Sequence, residues 1–169
     1  VAVLGQSRLG KAALWAGALD KRFALVISNN SGEGGASLYR RNYGERIADL
    51  TKAVPYWFCA NFNKYTGQED NLPVDAHELI ALMAPRPVYV ASAVKDTWAD
   101  PKGEFLSLYH ATPVYKLYGK EGILSDQHPA VGESVGQGAL GYLVREGVHD
   151  VTAFDWKHFL NFADRHFKK

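Results

Sequence analysis

The sequence predicts an α/β fold: a mostly parallel sheet inside three αβα layers. Three observations carry the prediction. Val1 to Leu4 are four apolar residues that run into Gly5 and Ser7 and then into a helix-forming stretch from Gly10 to Ala16, a strand, a sharp corner and a helix. Further apolar runs, at 23–27, 88–93 and 139–144, read as strands buried on both faces. Helix-type segments separate these runs, as crossovers between parallel strands require.

The elements follow in order. Ala12 to Leu19 continues the first helix against the sheet, Asp20-Lys21-Arg22 turns the chain, and Phe23 to Ile27 is the second strand. Ser28 to Gly35 is a polar, glycine-rich loop at that strand's carboxyl end, the sheet edge where ligands bind in open α/β folds. Tyr39, Tyr43, Ile47 and Leu50 fall at helical spacing and predict one helical excursion over residues 36–52. Pro55 to Pro73 is aromatic and irregular, suited to a cap beside the site. Asp75 caps a helix to Met83 whose Leu79, Ile80 and Leu82 are expected to face inward, and Pro85-Arg86-Pro87 stops it. Val88 to Ala93 is the next strand, with the loop Lys95 to Pro101 at its end. One helix is expected from Gly103 to Tyr109 and another, capped at Thr112-Pro113, through Tyr118, although Val114 to Tyr118 also alternates like a strand. Gly119 to Gly138 reads as loop and Ala139 to Val144 as the last strand. Phe154, Trp156, Phe159, Leu160, Phe162 and Ala163 give the final helix an apolar face.

Strand, Gly5-Gln6-Ser7, helix is the layout of the nucleophile elbow of α/β hydrolases. A serine on such a turn projects its hydroxyl above the sheet, and the next backbone N–H and the helix N-terminus favour an oxyanion there. The usual second glycine, two residues after the serine, is replaced by Leu9, and glycine comes only at Gly10. A serine needs a base, and the base an orienting carboxylate. Of the six histidines only His149 follows the last strand at its carboxyl end. His77, His158 and His166 fall on helices; His110 and His128 fall in or near connections. Asp96, in the loop after the strand 88–93, holds the acid position of the general fold. Glu33 is a rival acid that also reads as a solvated loop carboxylate, whereas Asp100 and Asp150 suit caps or ion pairs. Arg8, next to Ser7, could fold its guanidinium over a developing oxyanion or simply be a surface charge at a helix start.

The motif Gly5-x-Ser7-Arg8-x-Gly10-Lys11 resembles the Gly-Cys-Ser-Arg-x-Gly-Lys signature of glucuronoyl esterases, carbohydrate esterase family 15, with Gln6 where many members have cysteine. The likeness continues through Asn30-Ser31-Gly32-Glu33-Gly34-Gly35, Arg40 to Glu45, Trp57-Phe58, His77-Glu78-Leu79, Ala84 to Tyr89, Asp96-x-Trp98-Ala99-Asp100-Pro101 and His149-Asp150-Val151, and it is closest to the bacterial branch. The resemblance implies hydrolysis of the ester between a (4-O-methyl-)glucuronic acid of glucuronoxylan and a lignin alcohol, without a cofactor, by a monomer that is secreted or periplasmic. It implies Ser7 as nucleophile, His149 as base and Arg8 at the oxyanion, with Lys11, Glu45 and Trp98 contacting the sugar. Individually these three also read as a helix-surface lysine, a surface glutamate and a core tryptophan. Many members carry a glutamate immediately before Ser-Gly, where this chain has Asn30; some bacterial members lack it and use the later aspartate, here Asp96. Two rivals remain: another carbohydrate esterase such as a deacetylase, and a catalytically silent sugar-binding relative, which the missing glutamate suggests.

Length and composition bound these readings. Residues 1–169 suit one partial α/β-hydrolase catalytic domain that opens inside the nucleophile strand without the strands expected before it, a C-terminal portion expected to aggregate or be inactive alone. Nineteen basic and 18 acidic residues are well mixed, which argues against a nucleic-acid surface. The single Cys59 excludes an internal disulfide and cysteine-rich metal sites, and no histidine pair has metal-ligand spacing. No apolar run has membrane-spanning length. Four Trp, nine Tyr and eight Phe exceed ordinary needs and suit either core packing or a sugar-stacking cleft.

Overall fold

The computed structural model describes residues 1–168. Strands β1 (Ala2–Gln6), β2 (Leu25–Asn29), β3 (Val88–Ala93), β4 (Ser134–Val135) and β5 (Leu140–Arg145) form one sheet in the order β1-β2-β3-β5-β4. The first four in space are parallel; β4 alone is antiparallel. Helices α1 (Arg8–Leu19), α2 (Ile47–Ala53), α3 (Ala76–Ala81), α4 (Pro101–Leu117) and α5 (Ala153–Phe167) complete the chain, with 3-10 turns between them.

Alternation within the buried strands sends side chains to two cores. Val26, Val88, Val90, Tyr142 and Val144 pack with Leu14, Ile80, Met83, Phe105 and Leu108 from α1, α3 and α4. Leu25, Ile27, Tyr89, Ala91 and Leu143 pack on the opposite side with Phe159 and Phe162 of α5. The result is the expected three-layer architecture. The register aligns Gln6 with Asn29, Asn29 with Ala91 and Ala91 with Leu143, so all four parallel strands deliver their carboxyl ends to one edge. β1 lies at the margin of the sheet, paired only with β2 among the described residues.

Several expectations are corrected. Residues 36–52 do not form one helix. Asn42 (φ 54°) and Gly44 (φ 74°) are left-handed, and a Cβ on Gly44 would lie 2.4 Å from the Trp98 carbonyl oxygen. The chain therefore bends to Trp98, where Glu45 N–H donates to that carbonyl at 2.7 Å, and α2 starts only afterwards. The break expected at Thr112-Pro113 is absent: α4 runs through Pro113, and His110 sits inside it. Buried Leu108, Ala111 and Tyr115 continue one stripe across the proline, and Thr112 Oγ1 meets Leu108 O and both backbone groups of Ile123. Packing there outweighs the hydrogen bond that proline removes. β4, two residues long, falls within the stretch read as loop. Leu82 is 66% exposed, and on α5 only Phe159 and Phe162 are buried, while Phe154, Trp156 and Leu160 lie in the open.

Candidate active site

The elbow is built by close approach. A Cβ on Gly5 would sit 2.0 Å from Leu9 O, and one on Gly10 would press on Ser31 Cβ at 2.9 Å and Gly5 O at 3.1 Å. Gly10 thus serves the packing of α1 onto the sheet edge, while Leu9, at the usual glycine position, is exposed. Ser7 takes φ 57° and ψ −128°, a conformation that costs a non-glycine residue on the order of 1–3 kcal/mol. Three bonds hold it there: its N–H donates to Asn29 O at 2.8 Å, and its carbonyl accepts from Gly10 and Lys11 at 2.8 and 3.1 Å. Its hydroxyl does not cap α1, so the helix start leaves that oxygen free for other partners.

Asp96 and His149 come together. Asp96 Oδ2 lies 2.6 Å from His149 Nδ1, with Asp96 only 6% exposed and the histidine side chain 43% exposed. A carboxylate on Nδ1 makes that nitrogen the donor and leaves Nε2 to accept a proton. Although β5 lies three places from β1 in the sheet, the His149 loop reaches back towards the elbow. Asp150 O accepts from Asn29 Nδ2 at 2.9 Å and Asn30 Nδ2 at 3.1 Å, at the end of the strand paired to β1.

The other acids separate clearly. Asn30 is buried; besides its bond to Asp150 O, its Oδ1 accepts from Ala93 N–H at 2.7 Å. The expectation that Glu33 is solvated is corrected: it is 1% exposed, and neither carboxyl oxygen has a hydrogen-bond partner. Burial pushes its pKa up to about 8, opposed by Arg46 and reinforced by Glu69 and Glu45. Such a group is a neutral acid at pH 7, unlike the anion needed to orient an imidazole. Asp100 is occupied by Arg41, at 2.7 and 3.2 Å, and Asp150 Oδ1 by Val151 N–H.

Lys11, Glu45 and Trp98, from three separate segments, form one cluster. Lys11 Nζ donates to Ser31 O, Glu33 O and Glu45 Oε2, each at 2.6 Å. The indole N–H of Trp98 donates to Glu45 Oε1 at 3.3 Å, and Trp98 is 53% exposed, not a core residue. Gly32 makes this approach possible, since its Cβ would meet Glu45 Oε2 at 2.9 Å. The loop beneath is stapled by Glu104, a residue to which the sequence reading assigned no role. Fully buried in the first turn of α4, it accepts from Ser31 N, Ser31 Oγ and Gly32 N at 2.7–3.0 Å and from Ser92 Oγ at 2.6 Å. Burial lifts its pKa to about 7 against those four donors. An acidic residue just inside a proline-started helix was the only signal for it.

Arg8 is exposed at the first turn of α1, and among the described residues its guanidinium has no carboxylate partner. Beside it opens a groove of about 930 Å³ whose walls include Trp15, Tyr39, Trp57, Phe58 and Phe62, so the aromatic 55–73 segment does flank the elbow. The other histidines lie apart: His77 is stacked edge-on against His110, and His128 Nε2 meets Tyr142 Oη at 3.2 Å. Among the described residues no three His, Cys, Asp or Glu side chains gather as a metal site, and no helix is long and apolar enough to cross a membrane.

Comparison with known proteins places this arrangement. The family model described as "Glucuronyl esterase, fungi" matches residues 1–119. The chain is 52% identical over 166 residues to carbohydrate esterase MZ0003 of an unknown prokaryotic organism, covering 98% of this chain and 38% of that protein. It is 37% identical over 126 residues to 4-O-methyl-glucuronoyl methylesterase 1 of Wolfiporia cocos, covering 70% of this chain and 31% of that one. Among solved structures, a glucuronoyl esterase from Solibacter usitatus superposes with a TM-score of 0.94 at 51% identity, over 99% of this chain and 42% of that one. A family 15 glucuronoyl esterase from Teredinibacter turnerae gives 0.94 at 45% identity, over 98% and 40%. The chain therefore spans about two fifths or less of the length of these relatives.

Proposed function

We propose, because this chain belongs to the glucuronyl esterase family, that it carries the nucleophile, base and acid of a serine esterase acting on glucuronate esters. The observation that carries the reading is the 2.6 Å contact between Asp96 and His149, in a loop anchored beside the Ser7 elbow. Residues 1–169 are then part of an α/β-hydrolase catalytic domain.

The chemistry runs in two halves. Ser7 Oγ attacks the uronate ester carbonyl as His149 Nε2 takes its proton, and Asp96 stabilises the imidazolium through Nδ1. The carbonyl electrons move to oxygen, facing the Arg8 N–H and guanidinium. The ester is neutral until attack begins, so Arg8 acts on the transition state more than on the substrate. Collapse expels the alcohol, which takes the proton from His149, and leaves a glucuronoyl–Ser7 ester. Water, deprotonated by His149, then releases glucuronate and restores Ser7. Lys11, Glu45 and Trp98 hold the sugar: an ammonium and a carboxylate for ring hydroxyls, and an exposed indole for a pyranose face. The substrate class is the ester joining (4-O-methyl-)glucuronic acid of xylan to a lignin alcohol, which suits a secreted or periplasmic monomer. The test is turnover of benzyl glucuronate beside an aryl acetate by the full-length protein. Preference for the uronate that disappears in Ser7→Ala supports the reading; activity retained by Ser7→Ala overturns it.

A broader carbohydrate esterase is the second reading, favoured by a relative described as a promiscuous family 15 esterase, 52% identical to this chain. It expects comparable turnover of both substrates. The silent-relative reading is disfavoured because Asp96 supplies the carboxylate that Asn30 lacks.

A further inference from the structure

Arg145 ends β5 four residues before His149. It is 4% exposed, and its only carboxylate partner among the described residues is Asp155, itself fully buried, at 2.6 Å from Nε. The rest of the guanidinium meets main chain. Nη1 donates to Glu146 O at 3.0 Å, and Nη2 donates to Val148 O at 3.2 Å and to Asp150 O. The Gly147 carbonyl is taken by Lys95 N–H at 3.0 Å. Carbonyls on both sides of His149 are thus captured. Asp150 O is the common anchor, because it also accepts from Asn29 and Asn30. Gly147, at φ 111°, lets the loop wrap the guanidinium: a Cβ there would sit 2.9 Å from Nη1. Asp155 is in turn fixed by Thr152, whose N–H and Oγ1 donate to the same Oδ2 at 2.7 and 2.8 Å at the start of α5.

We propose that Arg145, held by Asp155, is the positioning residue for His149: it gathers the carbonyls of residues 146, 148 and 150 so that the imidazole is fixed against Asp96 and at the elbow. A buried ion pair serving only to attach α5 would need one bond from Arg145 to Asp155. The other donors of this guanidinium are instead spent on the backbone that carries the histidine, and a planar fork reaches three carbonyls as an ammonium cannot. Asn29 and Asn30 share the task from β2. The inference rests on His149 being the base of the proposed esterase. Its physical content, an imidazole aligned with Asp96 by this clamp, can be measured without turnover.

The test uses Arg145→Lys and Asn29→Ala in the full-length protein. Lysine keeps the charge beside Asp155 but loses the fork. Asn29→Ala removes one donor from Asp150 O and leaves the ion pair intact, so it reports even where Arg145→Lys does not fold. With benzyl glucuronate as probe, and active serine counted by a fluorophosphonate, kcat falls about 10- to 100-fold in Arg145→Lys and less in Asn29→Ala, with KM little changed. The downfield proton NMR signal of His149 Nδ1–H, present in the wild type, weakens or disappears in both. Native kcat per active site together with an unaltered signal, in either folded variant, overturns the proposal even where melting temperature has dropped. A wild type without turnover would overturn the esterase reading alone; signal loss in the variants would still uphold the clamp.

Discussion

Replacing Asp96 by asparagine removes one charge from a site only 6% exposed and changes its volume very little. The amide offers an N–H where the carboxylate offered a lone pair. His149 Nδ1, 2.6 Å away, must then accept instead of donate, which places the ring proton on Nε2, where Ser7 needs a base. The loss expected from this tautomer change is about four powers of ten in kcat, or roughly 5.5 kcal/mol at the transition state. Burst-calibrated kcat on benzyl glucuronate, with melting curves to confirm folding, measures it. A loss below tenfold would mean that Asp96 is not the acid. Asn30→Glu extends the experiment to the position where the family usually has its carboxylate. That side chain now holds Ala93 N–H and Asp150 O, at φ 47°, so glutamate alone should lower activity. In the Asp96→Asn background it should partly restore kcat by returning an anion near the imidazole. Absence of any rescue would show that position 30 does not address His149.

Three further outcomes are expected. Glu33→Gln should leave kcat within a few-fold and change the pH dependence of stability. Burial raises the folded pKa from the ordinary 4.5 to about 8, so between those values the folded state keeps a proton that the unfolded chain has released. Stability therefore falls as pH rises through that window and levels off above it. Glutamine removes the penalty, so the variant should match the wild type near pH 4 and exceed it by a few kcal/mol at pH 9, read from denaturant melts. A constant difference would contradict the buried neutral acid. Lys11→Met and Glu45→Gln should raise KM for benzyl glucuronate about tenfold or more, since each breaks charge-assisted hydrogen bonds, and leave aryl acetate turnover nearly unchanged. Equal losses on both substrates would take the cluster out of sugar binding. Arg8→Ala should lower kcat about 10²- to 10³-fold with little change in KM; a pure KM effect would place the guanidinium on the ground state.

Much of this molecule was legible in order along the chain. β1, β2, β3 and β5 follow from short apolar runs, because strands buried on both faces need no polar alternation. The Ser7 corner is written in Gly5 and Gly10, and Asp96 and His149 could be chosen because each follows a strand whose carboxyl end faces the same edge. The resemblance of Lys11, Glu45 and Trp98 to sugar-contacting positions anticipated a cluster that they do form. What only tertiary structure decided concerns contacts between distant segments. Pro113 sits inside α4 because Tyr115 and Ala111 find a core, a gain that local propensity cannot register. The helical spacing of Tyr39 to Leu50 yields to Gly44, whose left-handed turn is fixed by the Trp98 carbonyl more than fifty residues on. Glu33 looks like a solvated loop acid until the fold closes over it, and Arg145 looks like a strand-end charge until three carbonyls converge on it. Burial and hydrogen-bond satisfaction are properties of the assembled edge of the sheet. A one-dimensional pattern records which groups are available, and packing determines which of them meet.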